Sequence, residues 1–213
     1  MGGGALAQIG SHIIDLITFI TGQRAKRVHG VVRTFTKTNQ NINGIRQISS
    51  DDFTSFHMEL HGKEETCANV TINTHMNAPF QQEIVVCGSQ GRLIARGGDL
   101  YGVKWGSATG KEENIFLDIE DLQNSHTLSP SIPKLYLKGL FKLLTALKES
   151  LISDNQSKSL ESATSFEDGQ YVMAVIEAIR ESSSLRQWVT VNMIAENSSH
   201  KMSQSDGVIS LVN

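Results

Sequence analysis

The stretch "GGGALAQIGSHIIDL", residues 2–16, decides how this chain is read. Three glycines run directly into a segment where Leu6, Ile9, Ile13, Leu16, Ile17 and Ile20 recur at three- and four-residue steps. That spacing predicts a helix with one buried stripe. Gly22 stands where such a helix stops, because glycine takes the left-handed conformation of a C-terminal cap without strain. Gln8, His12 and Asp15 fall at i, i+4 and i+7, so they share the face away from the stripe.

Beyond Gly22 the apolar period changes from helical to alternating. "KRVHGVVRTF" reads as a strand, and the polar run "TKTNQNINGIRQISSDD" after it as a loop. "FTSFHMEL", "CANVTINTHM" and "QQEIVVCGSQGRLIARGGDLYGVKW" give four further strands, with "HGKEE" and "GSQG" as hairpin turns. A long helix is expected from about Pro133 to Leu151, with Leu137, Leu140, Leu144, Leu147 and Leu151 packed as core against the sheet. A second helix is expected over about Ser165 to Ser182, opened by the cap-like "SFED". "QWVTVNMI" supplies the last strand. The fold class is therefore α+β: an open, mostly antiparallel sheet of about six strands with helices on one face. Residues 1–194 read as one domain and the polar, aperiodic residues 195–213 as a disordered tail.

Composition narrows the function classes. Net charge is −3 and no run is strongly basic, which argues against a nucleic-acid partner, since phosphate binding needs clustered Lys and Arg. The longest apolar run is far short of the roughly 20 residues of a membrane helix. Cys67 and Cys87 lie in strand-like runs at a spacing that fits no metal motif; they read as two buried thiols, with a disulfide the lesser alternative. His57, His61 and His75 alternate with apolar residues, a pattern of sheet faces rather than of metal ligands, and no metal is expected. Asp51 and Asp52 precede a strand, where carboxylates cap turns or line pockets. Sequons at Asn69, Asn155 and Asn197 do not fix a compartment; the chain reads as cytoplasmic or secreted.

The opening stretch resembles the G-G-G-x-L-x-D-x-G-x-H-x-x-D segment of the glucose–fructose oxidoreductase / inositol dehydrogenase / MocA family. "VVCGSQGRLIA" is similar to that family's G-x-x-G hairpin, and "SFEDGQYVMAVIEAIRESSSLRQWVTV" to its closing helix and strand. The likeness runs from Gly2 to about Ile194. "GIRQISSDDF" and "DLYG" look closest to the animal subgroup of glucose–fructose oxidoreductase domain-containing proteins, for which an extracellular-matrix role has been proposed.

The resemblance implies a C-terminal domain that closes the substrate pocket of a two-domain oxidoreductase, whose N-terminal Rossmann half binds NAD or NADP. No strand followed by G-x-G-x-x-G is present here, nor the family's lysine-bearing E-K-P segment. A nucleotide-binding half is thus expected to stand before Gly2 in the parent, with no cofactor held by this chain alone. By matching, His12 occupies the family's general acid/base, taking the hydroxyl proton as hydride leaves for the nicotinamide. Gly2, Gly3 and Gly4 would let the backbone approach cofactor and substrate closely. Gln8 and Asp15 would line the pocket for a small-molecule substrate. The family usually has aspartate where Gln8 stands; glutamine hydrogen-bonds but cannot stabilise an imidazolium by charge. Two functions follow as expectations. One is the substrate half of an oxidoreductase acting on a sugar- or polyol-like hydroxyl, inactive alone. The other is a non-enzymatic binding protein that keeps the fold. A homo-oligomer through the bare sheet face, which would otherwise expose a large apolar patch, is expected in either case.

Overall fold

The computed structural model describes residues 3–36, 48–62, 65–76, 81–107, 110–119, 134–152 and 163–192. These form two compact units, one from the described residues up to Met76 and from Thr164 onward, the other from those between.

In the first unit the opening stretch makes a π-helical turn, Leu6–Gly10, that runs straight into helix α1, Ser11–Thr21. Gly22 ends α1 at φ 64° and returns its N–H to the carbonyl of Thr18 at 2.8 Å, the glycine stop that the sequence called for. Four strands follow in space: β1 (Ala25–Arg33), β2 (Phe53–Leu60), β3 (Cys67–Asn73) and β8 (Val189–Thr190). They pair antiparallel in the order β3-β2-β1-β8. The alternation in β2 sends Thr54, Phe56, Met58 and Leu60 inward and leaves Ser55, His57 and Glu59 on the other face. Helix α3, Phe166–Leu185, lies over the inner face, and its start is a capping box in which Ser165 and Asp168 satisfy each other's backbone N–H.

Leu6, Ile14, Val28, Phe56, Val175, Ile176 and Ile179 are wholly buried in the core between sheet and helices. Each such side chain contributes about 1.5–3 kcal/mol relative to exposure, so this layer fixes where the start of α1 sits. The cross-strand rows of the outer face include Arg27–Glu59–Cys67 and His29–His57–Asn69, with Arg27 in a two-pronged ion pair to Glu59 at 2.6 Å on both prongs, and Val31 and Phe53 are the apolar members of the face.

The second unit is an antiparallel meander: β4 (Glu83–Cys87), β5 (Gly91–Arg96), β6 (Asp99–Lys104) and β7 (Glu113–Phe116), ordered as in the chain. Gly88 and Gly91 close the "GSQG" hairpin with a 2.8 Å backbone bond. Helix α2, Lys134–Ile152, belongs to this unit and is pinned by Lys138, whose ammonium meets Asp118 at 2.6 Å.

The α+β class and the open antiparallel pairing stand. Where about six strands in one sheet were expected, the described residues give two sheets of four, because alternation marks a strand but not its partner. Two strands escaped the reading: Gly97 and Gly98 split one expected strand into β5 and β6, and β7 is only four residues long. The leucine face of α2 is also corrected. Leu137 is buried, but Leu140, Leu144, Leu147 and Leu151 are 44–79% exposed. Cys67 and Cys87 are free and exposed, not buried. Residues 193–213, expected as a tail beyond residue 194, lie outside the described residues, as do Asn155 and Asn197.

Candidate functional site

The site begins with how the chain enters the first helix. The carbonyl of Asp51 accepts the N–H of Ala5 at 2.7 Å, and its carboxylate accepts that of Leu6 at 2.7 Å. Two of the donors that a helix start leaves without partners are thereby taken by one residue, placed by the turn into β2. Gly4 is buried against this carboxylate, and a Cβ there would fall on the Asp51 side chain. Any larger residue would push Asp51 off the helix start.

Asp52 ties the neighbouring strand ends in the same manner. Its carboxylate accepts the N–H groups of Phe35 and Thr36, both at 2.7 Å, and its carbonyl accepts the N–H of Thr74 at 2.8 Å. Partial burial by itself would raise its pKa. The two backbone N–H groups, the Thr36 hydroxyl and the nearby His75 outweigh that and hold it down at about 2. The sequence offered both aspartates as turn caps or pocket residues but not the partners they take. Their partners are more than ten residues away along the chain, so no local pattern announces them.

Past this anchored start come the residues singled out in the sequence. Gln8 is exposed within the π-helical turn, and His12 is exposed in the first turn of α1. A π-turn closes i→i+5 bonds, so the i, i+4 relation of Gln8 to His12 begins in a wider coil than the sequence implied; such turns recur at functional sites. Neither the Gln8 amide nor the His12 imidazole has a partner among the described residues. Asp15 is half-buried and accepts the hydroxyl of Thr164 at 2.7 Å, which joins α1 to the residue before the α3 cap. Gly3 is exposed, whereas Gly2 lies outside the described residues.

An open groove of about 560 Å³ adjoins this start, lined by Gly4 and Asp51, by Val32, Arg33 and Thr34 at the end of β1, and by Arg180 and Ser183 of α3. Gln8, His12 and Asp15 do not line it. Among the described residues no three His, Cys, Asp or Glu side chains gather as metal ligands would. None of the described helices is long and apolar enough to cross a membrane.

Arranged so, the start of α1 offers a rigid backbone platform, an exposed imidazole able to carry a proton, and a neighbouring amide able to hold a hydroxyl. Residues 1–94 match the family model of the GFO/IDH/MocA C-terminal domain. Among curated proteins the chain is similar to glucose-fructose oxidoreductase domain-containing protein 2 of Mus musculus, 41% identical over 92% of this chain. It is 37% identical, again over 92% of its length, to glucose-fructose oxidoreductase domain-containing protein 1 of the same species. The chain spans about half the length of these relatives, 52% and 51%. Among solved structures it is similar in fold to levoglucosan dehydrogenase in complex with NADH and levoglucosan, with a TM-score of 0.67 at 17% identity. That likeness covers 91% of this chain and 52% of the other.

Proposed function

This chain belongs to the GFO/IDH/MocA C-terminal-domain family, and on that premise we propose that it is the substrate-side half of an NAD(P)-dependent oxidoreductase acting on a hydroxyl of a sugar or polyol. The single observation that carries the reading is His12: an exposed imidazole without a partner of its own, on the helix that the anchored glycine start holds in place. Hydride removal from a carbinol carbon leaves a protonated carbonyl, and a neutral imidazole within reach accepts that proton. The Gln8 amide then holds a neighbouring hydroxyl, and the π-turn sets its angle.

The residues present fit the reacting end of such a site and not the nucleotide. Gly4 gives up its side-chain space to Asp51, and of the described glycines before α1 only Gly3 is exposed, with a Cβ there 3.1 Å from that of Ala7. NAD or NADP would supply the hydride acceptor, held by a nucleotide-binding half in the complete protein. This chain by itself then transfers no hydride. Pairing of two copies through a sheet face fits the second unit better than the first. There Ile84–Ala95–Leu100 and Val86–Leu93 make apolar rows, with Val86 and Leu93 at 40% and 44% exposure.

A second reading, a binding protein that keeps the fold without the chemistry, is favoured by Gln8. No carboxylate among the described residues is hydrogen-bonded or ion-paired to His12. The experiment that separates them uses the complete protein with NAD+ or NADP+ and a panel of sugars and polyols, following the absorbance of the reduced nicotinamide. Turnover that falls by about 10²–10⁴ in His12→Ala supports the enzyme. A folded complete protein that binds neither nucleotide sinks it in favour of the binding protein.

A further inference from the structure

β8 pairs only with Arg27 and Val28, so among the described residues the margin of β1 beyond them has no strand beside it. The groove described above runs along that margin, and its lining has a charge pattern that nothing in the oxidoreductase reading uses. Two arginines, Arg33 and Arg180, are among the residues that line it. Arg33 donates to the carbonyl of Val32 at 2.9 Å, which holds its head against the strand end. Arg180 has no hydrogen bond or ion pair among the described residues. Ser183 accepts the N–H of Val32 at 2.8 Å, which leaves its own O–H to donate elsewhere, and Ser184 adds a second hydroxyl beside it.

Two features oppose an anion here. Asp51 is the one acidic side chain in the lining, but its carboxylate is already turned to the N–H of Leu6 at the helix start. The C-terminal end of α3 contributes about half a negative charge. The two full positive charges of the arginines that line the groove exceed both. A planar fork also suits the oxygens of phosphate or carboxylate better than any neutral group.

We propose that this groove is an anion site that takes a phosphate or carboxylate group between Arg180 and Arg33, with the hydroxyls of Ser183 and Ser184 as further donors. The site is independent of hydride chemistry and would exist in this chain alone. Its ligand is a small acid or a phosphorylated small molecule, and the groove is open enough to admit the remainder of one.

Isothermal titration of the full chain with inorganic phosphate, and separately with acetate, tests it. Saturable binding at millimolar concentration or tighter is expected. It should weaken at least tenfold in Arg180→Ala and in Arg33→Ala, and weaken with added sodium chloride, as exposed charges do. Arg180→Gln, similar in size and still a hydrogen-bond donor, should lose most of the affinity too, which separates charge from shape. Glucose 6-phosphate against glucose distinguishes the sources: binding of the first alone marks a phosphorylated ligand, and acetate matching phosphate marks a carboxylate. The proposal is overturned if neither anion saturates, or if Arg180→Ala binds as the wild type does while its circular dichroism and melting are unchanged. Arg180 is exposed and without partners among the described residues, so that variant decides even if Arg33→Ala fails to fold.

Discussion

The hydroxyl of Ser182, buried in the last turns of α3, accepts the N–H of Gly30 in β1 at 3.0 Å and donates to the carbonyl of Gln187 at 2.6 Å. One position on, Ser183 accepts the N–H of Val32. β8 stops short of these residues, so two helix hydroxyls do what a longer strand would do and close the ladder from the side. A buried donor without a partner costs about 1–3 kcal/mol. Ser182→Ala should therefore lower the urea-unfolding free energy by about that amount, and Ser183→Ala by less, since its bond is only part-buried. Equal stabilities for wild type and Ser182→Ala would remove this account of the β1 margin.

Two glycines should respond with opposite signs. A Cβ on Gly30 would lie 2.9 Å from Cγ2 of Ile179 and 3.1 Å from Cβ of Phe56, so Gly30→Ala should destabilise by roughly 1–3 kcal/mol through overpacking. Gly139, inside α2, has open space where its Cβ would be, and Gly139→Ala should stabilise by roughly 0.5–1 kcal/mol. Thermal melts of the two variants give the comparison, and a shift in the same direction would contradict the packing described.

Asp52 sets an acid limit. Its carboxyl is held at about 2 in the folded chain against an ordinary 3.8, so folding favours the ionised form. That contribution is fully present above the unfolded value and is lost as pH falls through the folded one, between about pH 4 and pH 2. Urea midpoints across this window should fall more steeply for the wild type than for Asp52→Asn, which has no charge to lose. Parallel slopes would mean that the bonds from Phe35 and Thr36 do not form as described.

The two exposed thiols give a quick check on where the strands lie. Cys67 and Cys87 should both react with a thiol reagent in the native chain, without denaturant, and non-reducing electrophoresis should show no intramolecular bridge. One or two protected thiols would place a strand edge wrongly.

Gln8 carries the chemical prediction. If the proposed oxidoreductase reading holds, Gln8→Asp in the complete protein should raise kcat/KM for hydride transfer by several-fold to tenfold, since a carboxylate would stabilise the imidazolium that forms if His12 takes the proton. His12→Ala should lower turnover by about 10²–10⁴ yet leave the melting temperature of this chain nearly unchanged, because the side chain is exposed and has no partner among the described residues. A large loss of stability in His12→Ala would assign that residue to the fold instead.

Much of the first unit could be read without coordinates. The stop at Gly22, the alternation in β2 and the Ser165–Asp168 cap are all local, and each depends on residues within a turn or two of one another; the apolar stripe was read only in part, since Ile14, left out of it, is fully buried and Ile20, counted in it, is 46% exposed. The helix bearing Gln8, His12 and Asp15 was legible for the same reason. Its π-turn was not, because the same apolar residues satisfy either coil.

What the sequence by itself determined is thus the kind of most elements, many of their limits, and the family. Only tertiary structure decided which strands share a sheet, which face of α2 is left exposed, and that Asp51 rather than a ligand fills the space beside Gly4. It also brought Arg33 and Arg180 to one groove from opposite ends of the chain. The physical reason is the range of the forces involved. Period and capping act over a few residues, whereas strand pairing, close packing and charge meet wherever the backbone folds back on itself. A one-dimensional pattern keeps no record of those meetings.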